Sequence, residues 1–185
     1  MILQKEFYYL RHGETEWNRK KIFQGTFDAP LNETGLAQAE AASKILKNHP
    51  IETICCSPLT RTRQTAKPTA EALGLEPIFY NDLREVEIGA LEGQPRGENF
   101  NQWMRGEIVV DGAETWEEFT ARAVKGINQV LEHAGPVLVV AHGAYYRAFE
   151  QFLGTKSVLP LRNCVPLKLT PPTTEFPDWQ VVELG

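Results

Sequence analysis

The chain has 185 residues, enough to bury most of the apolar surface of one compact domain. Lys and Arg number 19 against 24 Asp and Glu, giving a net charge of −5 and a pI near 5.5. That balance argues against a nucleic acid partner, which requires a basic surface, while leaving room for a local basic pocket and a small anionic ligand.

The opening MILQKEFYYLRHGE has no charge-free apolar stretch, so a secretory leader is not expected, and no apolar run nears membrane-spanning length. Cys55, Cys56 and Cys164 are odd in number and lack CxxC spacing; reduced, buried thiols in a cytoplasmic protein are expected. Residues 7–10 read as a first buried strand. Residues 34–47 predict a helix capped by Asn32, with Leu36, Ala39, Ala42, Ile45 and Leu46 on one side. A second buried strand falls at 51–56. Ser57-Pro58 then reads as an N-cap and first helical residue, opening a helix that runs to Leu73 and stops at Gly74. Residues 77–80 form a short third strand.

Residues 92–113 hold four glycines and a proline and read as an excursion, a candidate lid over about 92–114, with helix around 100–104. Thr115-Trp116-Glu117-Glu118 is a capping box, and the helix after it carries Trp116, Phe119, Ala123, Ile127, Val130 and Leu131 on one stripe up to Gly135-Pro136. Residues 137–141 are the clearest buried strand, 143–153 a helix, and 165–169 and 179–182 two final edge strands. This alternation predicts an α/β fold, a three-layer α/β/α sandwich around a mainly parallel, mixed sheet, forming a single domain over 1–185. Ligands in such folds bind at the carboxyl ends of the strands. Arg11, His12 and His142 all stand there.

In Leu10-Arg11-His12-Gly13-Glu14-Thr15 a strand delivers a guanidinium and an imidazole, and a glycine then permits a tight turn toward a helix start. Guanidinium matches phosphate oxygens bidentately, helix N-termini attract anions, and a neutral imidazole can attack phosphorus and carry it covalently. An isolated Arg-His pair would carry little weight, but more strings follow in order. They are Glu14-Thr15-Glu16-Trp17-Asn18, then Gln24-Gly25 with Asp28-Ala29-Pro30-Leu31, and Ser57-Pro58-Leu59-Thr60-Arg61. Leu83-Arg84-Glu85 comes next with Gly89-Ala90-Leu91-Glu92-Gly93, and last Val140-Ala141-His142-Gly143.

Together these strings closely resemble the histidine phosphatase superfamily, also called the phosphoglycerate mutase-like family, over residues 8 to about 150. The resemblance implies a phosphomonoesterase acting on a small phosphorylated metabolite, with no metal and no cofactor. It implies His12 as nucleophile, Arg11, Arg61 and His142 around the transferring phosphoryl group, and Glu85 as proton donor. Asn18, Gln24, Gly25 and the backbone near Gly143 would add substrate contacts. The chemistry agrees: phosphoryl transfer needs an aligned nucleophile and charge stabilisation, and an ester leaving group needs a proton.

Glu87 is the next candidate acid. Glu14, Glu16 and Glu92 read as solvated or structural carboxylates, Arg63 as either a substrate or a surface residue, and Arg19, Lys20 and Lys21 as a solvated basic face. His49 and His133 sit at helix ends and receive no catalytic role. Ala141 stands where many members carry serine, and Tyr145 and Tyr146 are bulkier than usual; they line the pocket or fill the core. The excursion at 94–114 is short beside that of the mutases. The alternatives are a cofactor-dependent phosphoglycerate mutase and an inactive phospholigand-binding regulator. Specificity is expected from residues 20–28, 86–114 and 144–147.

Overall fold

In the computed structural model, which describes residues 1–154 and 161–185, the chain begins its sheet with β1 (Phe7–Arg11). Strand side chains alternate between faces, and here both faces are covered. Phe7 and Tyr9 enter one apolar cluster, while Tyr8 and Leu10 enter another on the opposite side. The same alternation splits β4 (Val137–Ala141) into Val137, Val139 and Ala141 against Leu138 and Val140. All five β4 residues are buried, which explains the unbroken apolar run.

The remaining strands are β2 (Thr53–Cys56), β3 (Ile78–Phe79), β5 (Leu167–Thr170) and β6 (Gln180–Glu183). The sheet order is β3-β2-β4-β1-β5-β6. β1, β2, β3 and β4 pair in parallel, while β5 and β6 are antiparallel, so the sheet is mixed as expected. β5 was expected at an edge; instead it lies between β1 and β6, and its residues alternate buried and half-buried.

The helices are α1 (Glu16–Arg19), α2 (Glu33–Leu46), α3 (Thr60–Leu73), α4 (Glu98–Met104), α5 (Trp116–Leu131) and α6 (Gly143–Glu150). α2 and α3 cover one face with Ala39, Ala42, Leu46, Ala66 and Ala70; α5 and α6 cover the other with Phe119, Ile127, Val130, Tyr145 and Phe149. This is the three-layer arrangement. Asn32 caps α2 through Gly35 N–H, and Thr115 with Glu118 closes the capping box of α5.

Two local expectations fail for clear reasons. Leu36 is exposed, because small residues make the buried face of α2. Ser57 does not cap α3, whose first turn starts at Thr60. Its cap comes from a distant loop, where Asp28 Oδ1 accepts the Thr60 N–H at 2.6 Å and Oδ2 accepts its hydroxyl at 2.8 Å. Tyr145 and Tyr146 belong to the core, with the Tyr145 hydroxyl donating to the Ala123 carbonyl at 3.0 Å.

Candidate active site

Three adjacent parallel strands end in polar residues at one level. The ladder continues past β1 and β2, since His12 N–H donates to the Ala141 carbonyl and Ser57 N–H to the Val140 carbonyl, each at 3.0 Å. The chain leaves β1 toward α2 on one face and leaves β4 directly into α6 on the other. A crevice opens between such diverging connections. A cavity of about 210 Å³ occupies it, lined among others by Arg11, His12, Asn18, Gln24, Gly25, Arg61, Glu85 and Gly143. Eight of the nine site residues read from the sequence therefore meet there.

His12 is buried, and its Nδ1 lies 2.8 Å from the Gly13 carbonyl. A carbonyl only accepts, so Nδ1 carries the hydrogen and Nε2 keeps the lone pair in the neutral ring. Burial, Arg61 and Arg11 push the imidazole well below its usual 6.5. Asn163 from the segment before β5 holds the His12 carbonyl at 2.8 Å, and Gly13 N–H donates to Thr65 Oγ1 at 3.0 Å.

Arg61 is fully buried on α3. Its Nη1 and Nη2 donate to the carbonyls of Phe27 (2.7 Å) and Gly25 (2.8 Å), and its Nε donates to His142 Nδ1 at 3.3 Å. Burial lowers the guanidinium to about 10, opposed by Glu85, so it stays charged at neutral pH. Gly25 has φ of +50°, and an added Cβ would lie 2.5 Å from Glu92 Oε1. That carboxylate oxygen accepts the N–H groups of Thr26 and Phe27, so Glu92 shapes this loop.

Arg11 Nη1 donates to the Leu161 carbonyl at 2.8 Å, while Arg11 Nε and Asn18 Nδ2 are buried without a hydrogen-bond partner. Gly143 lets the Arg11 guanidinium lie against the start of α6; a Cβ there would come within 3.3 Å of Arg11 Nε. Gln24 is buried and accepts from Thr15 Oγ1 at 2.9 Å. Glu85 holds the first turn of α6, its Oε2 accepting Ala144 N–H (3.1 Å) and its Oε1 accepting Tyr145 N–H (3.0 Å). Helix N-termini favour a carboxylate in this position.

His142, expected beside the phosphoryl group, is fully buried and does not line the cavity. Its ring lies 5.3 Å from that of His12, with Nδ1 accepting from Arg61 and Nε2 facing Ser57 Oγ at 2.8 Å. Both ring nitrogens are thus engaged behind the wall. Burial and Arg61 lower its pKa well below 6.5 as well.

Glu87 does not line the cavity and pairs with Arg84 at 3.3 Å. Glu14 accepts from Asn32, Glu16 pairs with Arg19 and Lys20, and Arg63 stacks over Phe79. Residues given no site role from the sequence are Arg96 and Arg147, which line the cavity with Phe23, Val86, Ile88 and Phe100, together with Ser57 and Asn163. Arg96 and Arg147 fall inside the stretches expected to set specificity, and their charge was the only sign of them. Among the described residues neither guanidinium makes a hydrogen bond or ion pair with a protein group, and no three His, Cys, Asp or Glu side chains converge as metal ligands.

This fold and this crevice define a phosphoglycerate mutase-like α/β protein. The chain belongs to the histidine phosphatase superfamily (branch 1), which it matches over residues 7–164. It is 37% identical over 142 residues to "Uncharacterized phosphatase PhoE" of Bacillus subtilis (strain 168), covering 75% of this chain and 72% of the relative. It is 34% identical over 179 residues to "Probable phosphoglycerate mutase GpmB" of Yersinia pestis (strain Pestoides F), covering 86% and 81%. Among solved structures it resembles a phosphoglycerate mutase from Thermus thermophilus, with TM-score 0.74, 28% identity and coverage of 98% and 99%. A mycobacterial glucosyl-3-phosphoglycerate phosphatase in complex with VO3 gives TM-score 0.79 at 25% identity, covering 97% of each chain.

Proposed function

We propose that this chain hydrolyses phosphate monoesters of small molecules through a phosphohistidine at His12, without a metal ion. The observation that carries this reading is the Nε2 lone pair of a neutral, buried His12 that lines a cavity together with Arg11 and Asn18, whose Nε and Nδ2 are buried donors without a protein partner. A phosphoryl oxygen would satisfy both donors, which otherwise cost about 1–3 kcal/mol each. Arg61 supplies a fixed positive charge to the equatorial oxygens.

In the first step Nε2 attacks phosphorus and the bond from phosphorus to the ester oxygen breaks. Glu85, in its protonated form, gives the departing oxygen its proton, and an alcohol leaves. In the second step the Glu85 carboxylate takes a proton from water as the water oxygen attacks phosphorus. The bond from phosphorus to nitrogen breaks, inorganic phosphate forms, and Glu85 is protonated again. His142 serves through Arg61 and by backing His12.

Arg96 and Arg147 favour substrates whose leaving group carries a second negative charge, and Phe23 and Phe100 favour a short apolar link between the two charges. The similarity to GpmB favours a second reading, a phosphoglycerate mutase.

Rapid quench with a radioactive phosphate donor tests the mechanism. The label is expected on His12, acid-labile and base-stable, and His12→Ala should lose both label and turnover. Label on another residue, or turnover without label, overturns it. With 3-phosphoglycerate and trace bisphosphoglycerate, phosphate release is expected to exceed isomerisation; the reverse would establish the mutase.

A further inference from the structure

The backbone of the segment that carries Glu85 is held from behind by Arg122 on α5, at the foot of the excursion taken with its lead-in, residues 86–114. A guanidinium has five N–H donors in a rigid fork. In Arg122 five hydrogen bonds account for them. Nη1 donates to the carbonyls of Arg84 (2.9 Å) and Asp82 (3.3 Å), and Nη2 to the Glu85 carbonyl (3.3 Å). Nε and Nη2 grip the two carboxylate oxygens of Glu114 at 2.8 and 2.7 Å. The pair is largely buried, 16% and 18% exposed.

Glu114 closes the excursion. Its Oε2 accepts Glu87 N–H at 2.9 Å, its own N–H donates to the Glu87 carbonyl at 2.9 Å, and its carbonyl accepts from Trp103 Nε1 at 3.0 Å. One ion pair therefore ties together the backbone at 82–85, the two ends of the excursion and α5. α5 is in turn joined to α6 through Tyr145 and Ala123, and α6 supplies the N–H groups that hold the Glu85 carboxylate.

We infer that Arg122, clamped by Glu114, is a positioning residue that fixes the Glu85 carboxyl at the leaving-group side of the site. It does not line the cavity. The inference rests on the proton-donor role proposed for Glu85. Its effect falls on steps that need a delivered proton. An alkyl phosphate must receive one as its ester bond breaks, whereas p-nitrophenolate leaves without help. A lysine cannot replace Arg122, since three donors on a point charge cannot span three carbonyls and a carboxylate.

The test compares kcat/KM for an alkyl phosphate and for p-nitrophenyl phosphate, a ratio that covers only the steps up to leaving-group departure. Arg122→Lys and Glu114→Gln are measured beside Glu85→Gln and the parent protein, with folding checked by thermal melting. Expected is a loss of about tenfold or more on the alkyl ester, against a few-fold on the nitrophenyl ester, in both clamp variants and more steeply in Glu85→Gln. Equal losses on both esters in the clamp variants, with Glu85→Gln still selective, would overturn the positioning role alone. Equal losses in Glu85→Gln would remove the proton-donor reading beneath it. Should Arg122→Lys not fold, Glu114→Gln decides by the same ratio.

Discussion

Burial, with Arg61 and Arg11 alongside, holds both His12 and His142 well below 6.5. Unfolded, each returns to its ordinary value. As pH falls below about 6.5 the unfolded chain therefore binds protons that the folded chain refuses, so stability present above that pH is lost as it drops. Urea midpoints measured at pH 7 and pH 5 should fall in the parent protein and fall less in His12→Gln and His142→Gln. An identical drop in all three would exclude the histidines as its source. Residues whose type alone fits phosphoryl chemistry, such as Arg11, His12, Arg61 and Glu85, were legible because they occur in ordered strings. Ser57 was misread because Ser-Pro is written the same way for a helix cap and for a loop hydroxyl, and only the fold brings His142 within 2.8 Å. Arg122 could not be read at all, since its hydrogen-bond partners lie at Asp82, Arg84, Glu85 and Glu114 and none of these belongs to α5.

Elements were legible where period and punctuation agreed. β4 and the capping box of α5 follow the sequence pattern closely. The place of β5 did not, because pairing order is set by tertiary contacts that a four-residue strand does not encode. A glycine in the first turn of α2 illustrates how packing reverses a local preference. Ala is favoured over Gly in a helix by about 1 kcal/mol. Yet a Cβ on Gly35 would lie 2.1 Å from the Glu14 carbonyl, and one on Gly13 would lie 2.6 Å from the Gly35 carbonyl. The loop that follows His12 touches α2 backbone to backbone, so no side chain can yield. Gly35→Ala should therefore lower the urea midpoint and, by displacing residues 12–14, reduce kcat/KM as well. A stabilised, fully active variant would refute this account.

At the scale of the whole molecule, a net charge of −5 coexists with a cavity lined by Arg11, Arg61, Arg96 and Arg147 against Glu85. Such a focused field draws anions, and salt weakens it outside a Debye length of about 10 Å at 0.1 M. Turnover of a phosphoester bearing a second anion should fall with ionic strength. Arg96→Ser and Arg147→Ser should flatten that dependence and raise KM several-fold for the ester whose leaving group is anionic, with little change for one whose leaving group is neutral. Matching losses on both ester types would show that these arginines do not read the second charge.

The strand order has one more consequence, for the order in which the chain can be assembled. Among the described residues β1 has β4 and β5 as its neighbours, and β4 also separates it from β2. A polypeptide emerging from the ribosome can therefore join β2 to β3 early, but β1 waits without a hydrogen-bonding partner until residues 137–141 have been synthesised. His12 is made long before its setting exists, and acquires it only once translation has passed β4.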